Sequence, residues 1–263
     1  MQTLRLGWFS TGRGEGSYGL LSAVLAAMDG GYLDGGIEFV FCNRDRGEGA
    51  GSDRFMELVE SRGIPLVKLS SKQFRKDNGG RPWSELREEF DRAAIESLTP
   101  YSPELSVNAG YMLIAPLLCR VHTMINLHPA LPTGPVGMWR TVIWDLIGMQ
   151  ARETGAMVHV VTEDVDGGPV LSYCRFPIHG PGFDALWEEA RGRRIPELVE
   201  SPGEQLPLFQ AIRQAGLLRE RPLLVETLRT ISEGRIGVAG AGGRQPVDLT
   251  DVVEERVRAG NGQ

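Results

Sequence analysis

Short apolar runs alternate along the chain with longer stretches whose apolar residues recur at helical spacing. Residues 4–9, 38–42, 65–69 and 105–108 are predicted to be strands, because each is a brief apolar run bounded by turn-forming residues. Residues 19–28, 53–62 and 83–98 are predicted helices. In the last, Leu86, Phe90, Ala94, Ile95 and Leu98 fall at helical spacing, and Gly63 supplies a stop signal after the second. Ala109-Gly110-Tyr111 leads into an apolar helix candidate at 114–119. A β-α-β-α alternation means parallel strands joined by crossover helices. Such sheets bind ligands beyond the C-terminal ends of their strands, so the loops after Phe9, Cys42 and Asn108 are expected on the functional edge.

The second half reads differently. Residues 123–127, 156–161 and 170–178 are predicted strands and 138–150 a helix. Beyond His179 the pattern is mostly helical, at 204–215 and again at 222–233, where Pro222 suits a first turn. Residues 237–244 form a glycine-rich break, and 247–263 are short, charged and expected to fray. The expectation is an α/β, Rossmann-like domain over residues 1–236. It has a mostly parallel central sheet, helices on both faces and a helical C-terminal extension. Residues 237–263 are expected to be a linker and charged tail.

Composition narrows the class. The 263 residues hold 28 Lys+Arg against 34 Asp+Glu, a net charge of −6 that argues against a phosphate-tracking nucleic-acid binder. Glycine is high, at 34 residues with no collagen period, so its placement has local causes. Cys42, Cys119 and Cys174 are far apart and odd in number, which points to a reducing, cytoplasmic setting and not to a disulfide scaffold. Cys42 and Cys119 sit in apolar runs and read as packing residues. No secretory leader or membrane span is expected.

Candidate chemistry begins at Asn126-Leu127-His128-Pro129, where a strand runs into a proline-rich loop. Asn126 and His128 share side-chain parity and point to one side of extended chain. An amide can stabilise an oxyanion and an imidazole can move a proton. Taken alone, a histidine after a strand is more often structural. A second segment, Thr162-Glu163-Asp164-Val165-Asp166-Gly167-Gly168-Pro169, is either a solvated turn or a loop that brings Asp166 to His128.

Together these segments resemble the folate-dependent formyltransferases, which pair a strand-borne N-x-H-P with a downstream D-G-G-P loop. His159 matches the histidine on the strand before that loop. Within the family, the branch acting on phosphoribosylglycinamide in purine synthesis is the most similar. Its Ser/Cys-Asn turn resembles Cys42-Asn43, its R-E-x-[YF]-D helix resembles 87–91, and its A-G-[FY]-M segment resembles 109–112. The resemblance covers roughly residues 4–235.

That resemblance implies formyl transfer from 10-formyltetrahydrofolate to an acceptor amine, with no metal. Asn126 and protonated His128 would stabilise the tetrahedral oxyanion, and Asp166 would hold His128. The pterin would sit against the backbone of Met112, Leu113 and Ile114 and of Thr162, Glu163 and Asp164, with Arg87 on the folate side. The acceptor, a small phosphorylated amine, would meet Gly12, Arg13, Gly14, Gly16 and Ser17. Glu220 matches a substrate-contacting glutamate weakly. No nucleic-acid or membrane partner is implied, and a homodimer is left open.

Departures fall on the acceptor side. The loop at 10–19 is longer than the family's, lacks its Asn, and carries Arg13, which would help a phosphate, and Glu15, which would hinder one. Residues 132–139 lack the family's Tyr/Phe-Pro-Gly element, and Trp139, which opens the next helix, reads as core. Residues 187–217 are longer than expected; their Arg191, Arg193 and Arg194 read as a solvated face. Other readings are formyl transfer to a different amine, such as an amino sugar nucleotide, hydrolysis of formyltetrahydrofolate, or a nucleotide-binding module without activity.

Overall fold

Parallel pairing organises the first half of the chain. In the computed structural model, which describes residues 3–111, 113, 116–239 and 241–260, five strands run parallel: β1 (Leu4–Ser10), β2 (Gly35–Cys42), β3 (Leu66–Lys68), β4 (Leu105–Asn108) and β5 (Met124–His128). Strand β6 (Glu153–Val160) turns back antiparallel to β5, and β7 (Val170–Pro177) is antiparallel to β6. A two-residue β8 (Val247–Asp248) lies parallel to β7. The order is β3-β2-β1-β4-β5-β6-β7-β8. The chain moves outward through β2 and β3, then returns to the other side of β1 at β4. That reversal opens a crevice at the C-terminal ends of β1 and β4.

Side-chain alternation sends each strand to two cores. From β1, Leu6 and Trp8 pack with α1 (Glu15–Asp29), α2 (Ala50–Ser61) and α9 (Pro207–Ser232). Phe9, one residue on, joins Phe39, Phe41 and the Phe90 of α4 (Trp83–Ser97) on the opposite face. Gly7 shares that face, where a Cβ would stand 2.7 Å from the Phe39 ring. A third cluster holds α6 (Trp139–Gly148) against Phe176, Leu198 and Phe209. It lies under the region of α7 (Asp184–Ala190), α8 (Ile195–Glu200) and a 3-10 turn at Gly203–Gln205. There Arg191 and Arg194 pair locally with Glu188 and Glu197, and Arg193 donates to the Ser201 carbonyl, so the basic cluster is a solvated face.

Several elements differ from the sequence reading. Helix α1 begins at Glu15, four residues earlier than predicted, so Gly16 and Ser17 lie in its first turn. An acidic residue there suits the helix dipole, and Glu15 pairs with Arg54. Helix α3 (Ser71–Asp77) was not predicted; Ser70 caps it by accepting the Gln73 N–H. The helix expected at 114–119 is α5 (Leu118–Val121); Ile114 and Ala115 lie outside the described residues. The two late helices are one, the 26-residue α9 with Pro222 inside. An interior proline costs about 3 kcal/mol. Leu223, Leu224, Val225 and Leu228 are all buried just beyond it, and at about 1.5–3 kcal/mol each their burial outweighs that cost.

Residues 247–260 of the tail do not fray. Asp248 accepts the Thr250 N–H at 2.9 Å and starts α10 (Thr250–Gly260), whose Val253 is fully buried. Arg219 and Arg256 of α9 and α10 pair with Glu254 and Glu226 across the two helices. Tyr32 is held between Arg229 and Arg256, whose guanidinium carbons lie 4.2 and 3.8 Å from its ring centre. Val253→Ala should therefore lower the unfolding free energy by about 2 kcal/mol in urea denaturation. A change within error would show that α10 docks without contributing.

Candidate active site

Strand β5 delivers Asn126 and His128 to the crevice, and its antiparallel neighbour sets His159 directly opposite Asn126. Pro129 lacks an amide and ends the pairing. The loop between β6 and β7 then folds back over the strand ends. Its Gly168 is obligatory, since a Cβ there would stand 1.8 Å from the Val160 carbonyl oxygen. Asp166 takes a left-handed φ of 54° in this loop, an uncommon state for a residue with a side chain. That conformation puts its carboxylate between two histidines.

The Asp166 Oδ2 lies 3.5 Å from His128 Nδ1, and its Oδ1 lies 3.5 Å from His159 Nε2. Asn126 Nδ2 is 3.1 Å from the same His159 nitrogen. The structure thus joins Asn126, His159, Asp166 and His128 in one chain. Both imidazoles are 2% exposed. A proton on His128 Nδ1 makes its contact with Asp166 a charge-assisted hydrogen bond, whereas His159 Nε2 accepts from Asn126 Nδ2 and its Nδ1 donates to the Val160 carbonyl at 3.0 Å. His128 Nε2 donates to the Pro135 carbonyl at 2.9 Å, so both nitrogens of this ring face acceptors. Only the doubly protonated imidazolium donates to both.

Asp166 is tuned to be the anion in this chain. Burial pushes its carboxyl up, but the His159 hydrogen bond, the charge of His128 and the Gly137 N–H, 3.1 Å away, together hold it below the ordinary aspartate value. Burial dominates at the cysteines: the Cys42 thiol is pushed up to about 11 and Cys174 to about 12, so both stay protonated packing groups at neutral pH.

The loop after β1 meets the loop after β4. Thr11 N–H donates to the Gly110 carbonyl at 3.0 Å, and Ser10 Oγ donates to the Ala109 carbonyl at 2.7 Å. Gly12, at φ 65°, must be glycine because a Cβ would press on Phe55 at 2.9 Å. Gly110 lets Ser17 approach; a Cβ would stand 2.3 Å from its Oγ. Arg13 is exposed, while its carbonyl packs against Gly51. Gly14 is the N-cap of α1 and offers no side-chain cap, so the first-turn amides have none to serve them.

The other predicted residues are placed as follows. Leu113 packs beside the α4 cluster; Met112 and Ile114 lie outside the described residues. Thr162 Oγ1 donates to the Asp164 carbonyl at 3.1 Å. Glu163 faces the surface, where Arg120 donates to both its oxygens at 2.7 and 2.8 Å, leaving only its backbone for the crevice. Glu220 is buried and pairs with Arg213 at 2.8 Å. Trp139 is half-buried and packs on Phe209, as expected of core, but it also walls a pocket with Arg213 and Glu220. Sequence reasoning passed over Arg213, which sits in no motif, and gave His159 no role although it precedes the Asp166 loop. Among the described residues, no group of three His, Cys, Asp or Glu side chains is placed to hold a metal, and no helix is long and apolar enough to cross a membrane.

A profile of the formyl transferase family matches residues 13–181, a span that contains the whole Asn126–His159–Asp166–His128 chain. The protein belongs to the formyl transferase family. The formyltransferase is 27% identical over 162 residues to phosphoribosylglycinamide formyltransferase of Escherichia coli K12, covering 60% of this chain and 68% of that one. It is 27% identical over 193 residues to the enzyme of that name from Dictyostelium discoideum, covering 69% and 89%. In fold it is similar to glycinamide ribonucleotide transformylase 1 of Symbiobacterium toebii, with a TM-score of 0.65 at 21% identity over 91% of this chain and 92% of that one. It is a formyl-transferring enzyme with 10-formyltetrahydrofolate as co-substrate. Arg87 Nε is buried and has no hydrogen-bond partner among the described residues.

The Asp166 shift has a pH signature. Native Asp166 gives up its proton more readily than the unfolded chain does. It therefore contributes stability at neutral pH that is lost as pH falls from 3.8, its ordinary value, through its lower folded value. In urea denaturation across a pH series, wild-type stability should fall more steeply than that of Asp166→Asn below about pH 4. Parallel curves would show that Asp166 titrates alike folded and unfolded.

Proposed function

We propose that this formyltransferase moves the formyl group of 10-formyltetrahydrofolate onto the amine of phosphoribosylglycinamide. The observation that carries the reading is the connected set of Asn126, His128 and Asp166 at the end of β5, beside the uncapped first turn of α1. The names of the Escherichia coli and Dictyostelium relatives support the choice of acceptor.

In this reading the acceptor amine attacks the formyl carbon and negative charge gathers on the formyl oxygen. Asn126 Nδ2 and protonated His128 donate to that oxygen. To do so, His128 Nε2 exchanges the Pro135 carbonyl for it. Asp166 keeps a negative charge 3.5 Å from His128 Nδ1 and so holds the orientation of the ring. The proton released by the amine passes through water to the leaving nitrogen. The pterin lies along the backbone of 112–114 and of 162–164, and Arg87 receives the anionic end of the folate. The acceptor phosphate lies at Gly12–Ser17 with Arg13 nearby.

Purified protein with 10-formyltetrahydrofolate and a panel of amines tests this directly. Formyl loss should require phosphoribosylglycinamide, whereas turnover without any amine would assign hydrolysis. His128→Ala should lower kcat by about 10²–10⁴-fold, and Asp166→Ala should also remove most turnover, with near-UV circular dichroism unchanged. Near-normal rates in either variant would sink the mechanism. Arg87→Ala should raise the KM for the formyl donor by about tenfold at nearly constant kcat.

A further inference from the structure

All three lysines of the chain, Lys68, Lys72 and Lys76, fall within nine residues. With Arg75 and Arg81 they make residues 68–81 strongly basic against Asp77 alone, in a chain whose net charge is −6. Lys68 ends β3, and α3 follows at the C-terminal edge of the sheet. On α3, Lys72, Arg75 and Lys76 stand at i, i+3 and i+4 and share one face, and all three are exposed. Phe74 points the other way, onto α4, and Gln73 donates to Asp77 at 2.6 Å on the flank.

The charge on this face is not neutralised by the protein. Elsewhere exposed arginines pair with acids, as Arg62 does with Asp29 and Arg120 with Glu163. Among the described residues, none of the three lysines has an ion-pair partner. Arg75 is held by its Nε, which donates to the Arg81 carbonyl at 3.0 Å, and its two amino groups are unpaired among those residues. Like charges at i and i+4 destabilise a helix, so the fold alone gives no reason for them. Helix α3 also packs on the half of α4 that carries Arg87. Phe74 and Trp83 both meet the Phe90 ring, with centres 5.2 Å apart, and Arg87 lies between Trp83 and Phe90 in sequence. Four residues of α-helix rise about 6 Å. A γ-linked glutamyl chain repeats one carboxylate over roughly the same 6 Å by ordinary bond lengths. An ammonium on a flexible stem takes such a carboxylate from many directions.

We propose that the basic face of α3 holds a poly-γ-glutamyl tail on the folate, running out from Arg87 over Lys72, Arg75 and Lys76. The inference rests on the folate ending at Arg87, as in the proposed function. It makes the tail a handle for affinity and gives it no part in formyl transfer. A nucleic-acid strand fits less well, because its charges are closer together and run over a far longer path, and the chain as a whole is acidic.

Calorimetric titration of the full chain with tetrahydrofolate bearing one or five γ-linked glutamates reads the stripe without acceptor or turnover. Wild type should bind the pentaglutamate about tenfold more tightly, because exposed pairs are individually weak but the pterin tethers the tail. Raising salt from about 0.05 M to about 0.5 M should remove most of that advantage. The double variant Lys72→Ala, Lys76→Ala should cut it to about twofold and leave monoglutamate affinity unchanged. The double variant Lys72→Arg, Lys76→Arg should keep it, since charge is what the tail needs. Equal affinity of wild type for the two folates, or an undiminished advantage in the alanine variant, would overturn the stripe. An oligonucleotide of equal charge that displaces the pentaglutamate better than free penta-γ-glutamate does would overturn it in favour of a nucleic-acid partner. Arg87→Ala should weaken both folates alike. Unchanged monoglutamate binding in Arg87→Ala, with the pentaglutamate advantage intact, would refute the folate position taken above and leave the stripe standing.

Discussion

The bridging of two buried imidazoles by the Asp166 carboxylate is the contact around which the site is built. A lone carboxylate largely out of water would take up a proton or move outward. Asp166 stays ionised because three groups favour its charge: the two imidazoles and the Gly137 amide. Each comes from a different segment. His128 ends β5, His159 ends β6, and Gly137 belongs to the loop before α6. The antiparallel turn of β6 is what sets two histidines from distant parts of the chain around one anion.

Backbone approach is the second constraint. Gly12, Gly110 and Gly168 each stand where a side chain would collide with Phe55, Ser17 or the Val160 carbonyl. Removing the Cβ lets three loops close on one crevice. Many other glycines, such as Gly47, Gly79 and Gly203, have open space and positive φ, and serve turns alone. The glycine excess therefore has two physical origins, and only one concerns the site.

How far this was legible from sequence depended on the range of the interactions. The parallel half, with strands ending at Ser10, Cys42 and Asn108, follows from local periodicity. Asn126 and His128 follow from strand parity, and Asp166 from its motif. Helix α9 was misread as two because Pro222 is a strong local signal, whereas the burial that overrides it comes from strands far away in sequence. The tail was misread for the same reason: its short charged run hides Val253 and the pairs to Glu226 and Arg219, all tertiary. Arg213 was invisible because its partner Glu220 lies two turns away on the same helix and its aim toward Gly16 exists only once α9 crosses α1.

Helix α9 lies outside the part of the chain that carries the histidines. Every side chain in the Asp166 chain lies within residues 13–181, the stretch matched to the family. Arg213 and Glu220 lie outside it, on a helix whose position is set by α1, α10 and the end of the sheet. The polar chain at the site and the helix that packs behind it thus come from separate parts of the polypeptide. The first is held by strand pairing. The second is held by side-chain burial against α1 and the sheet.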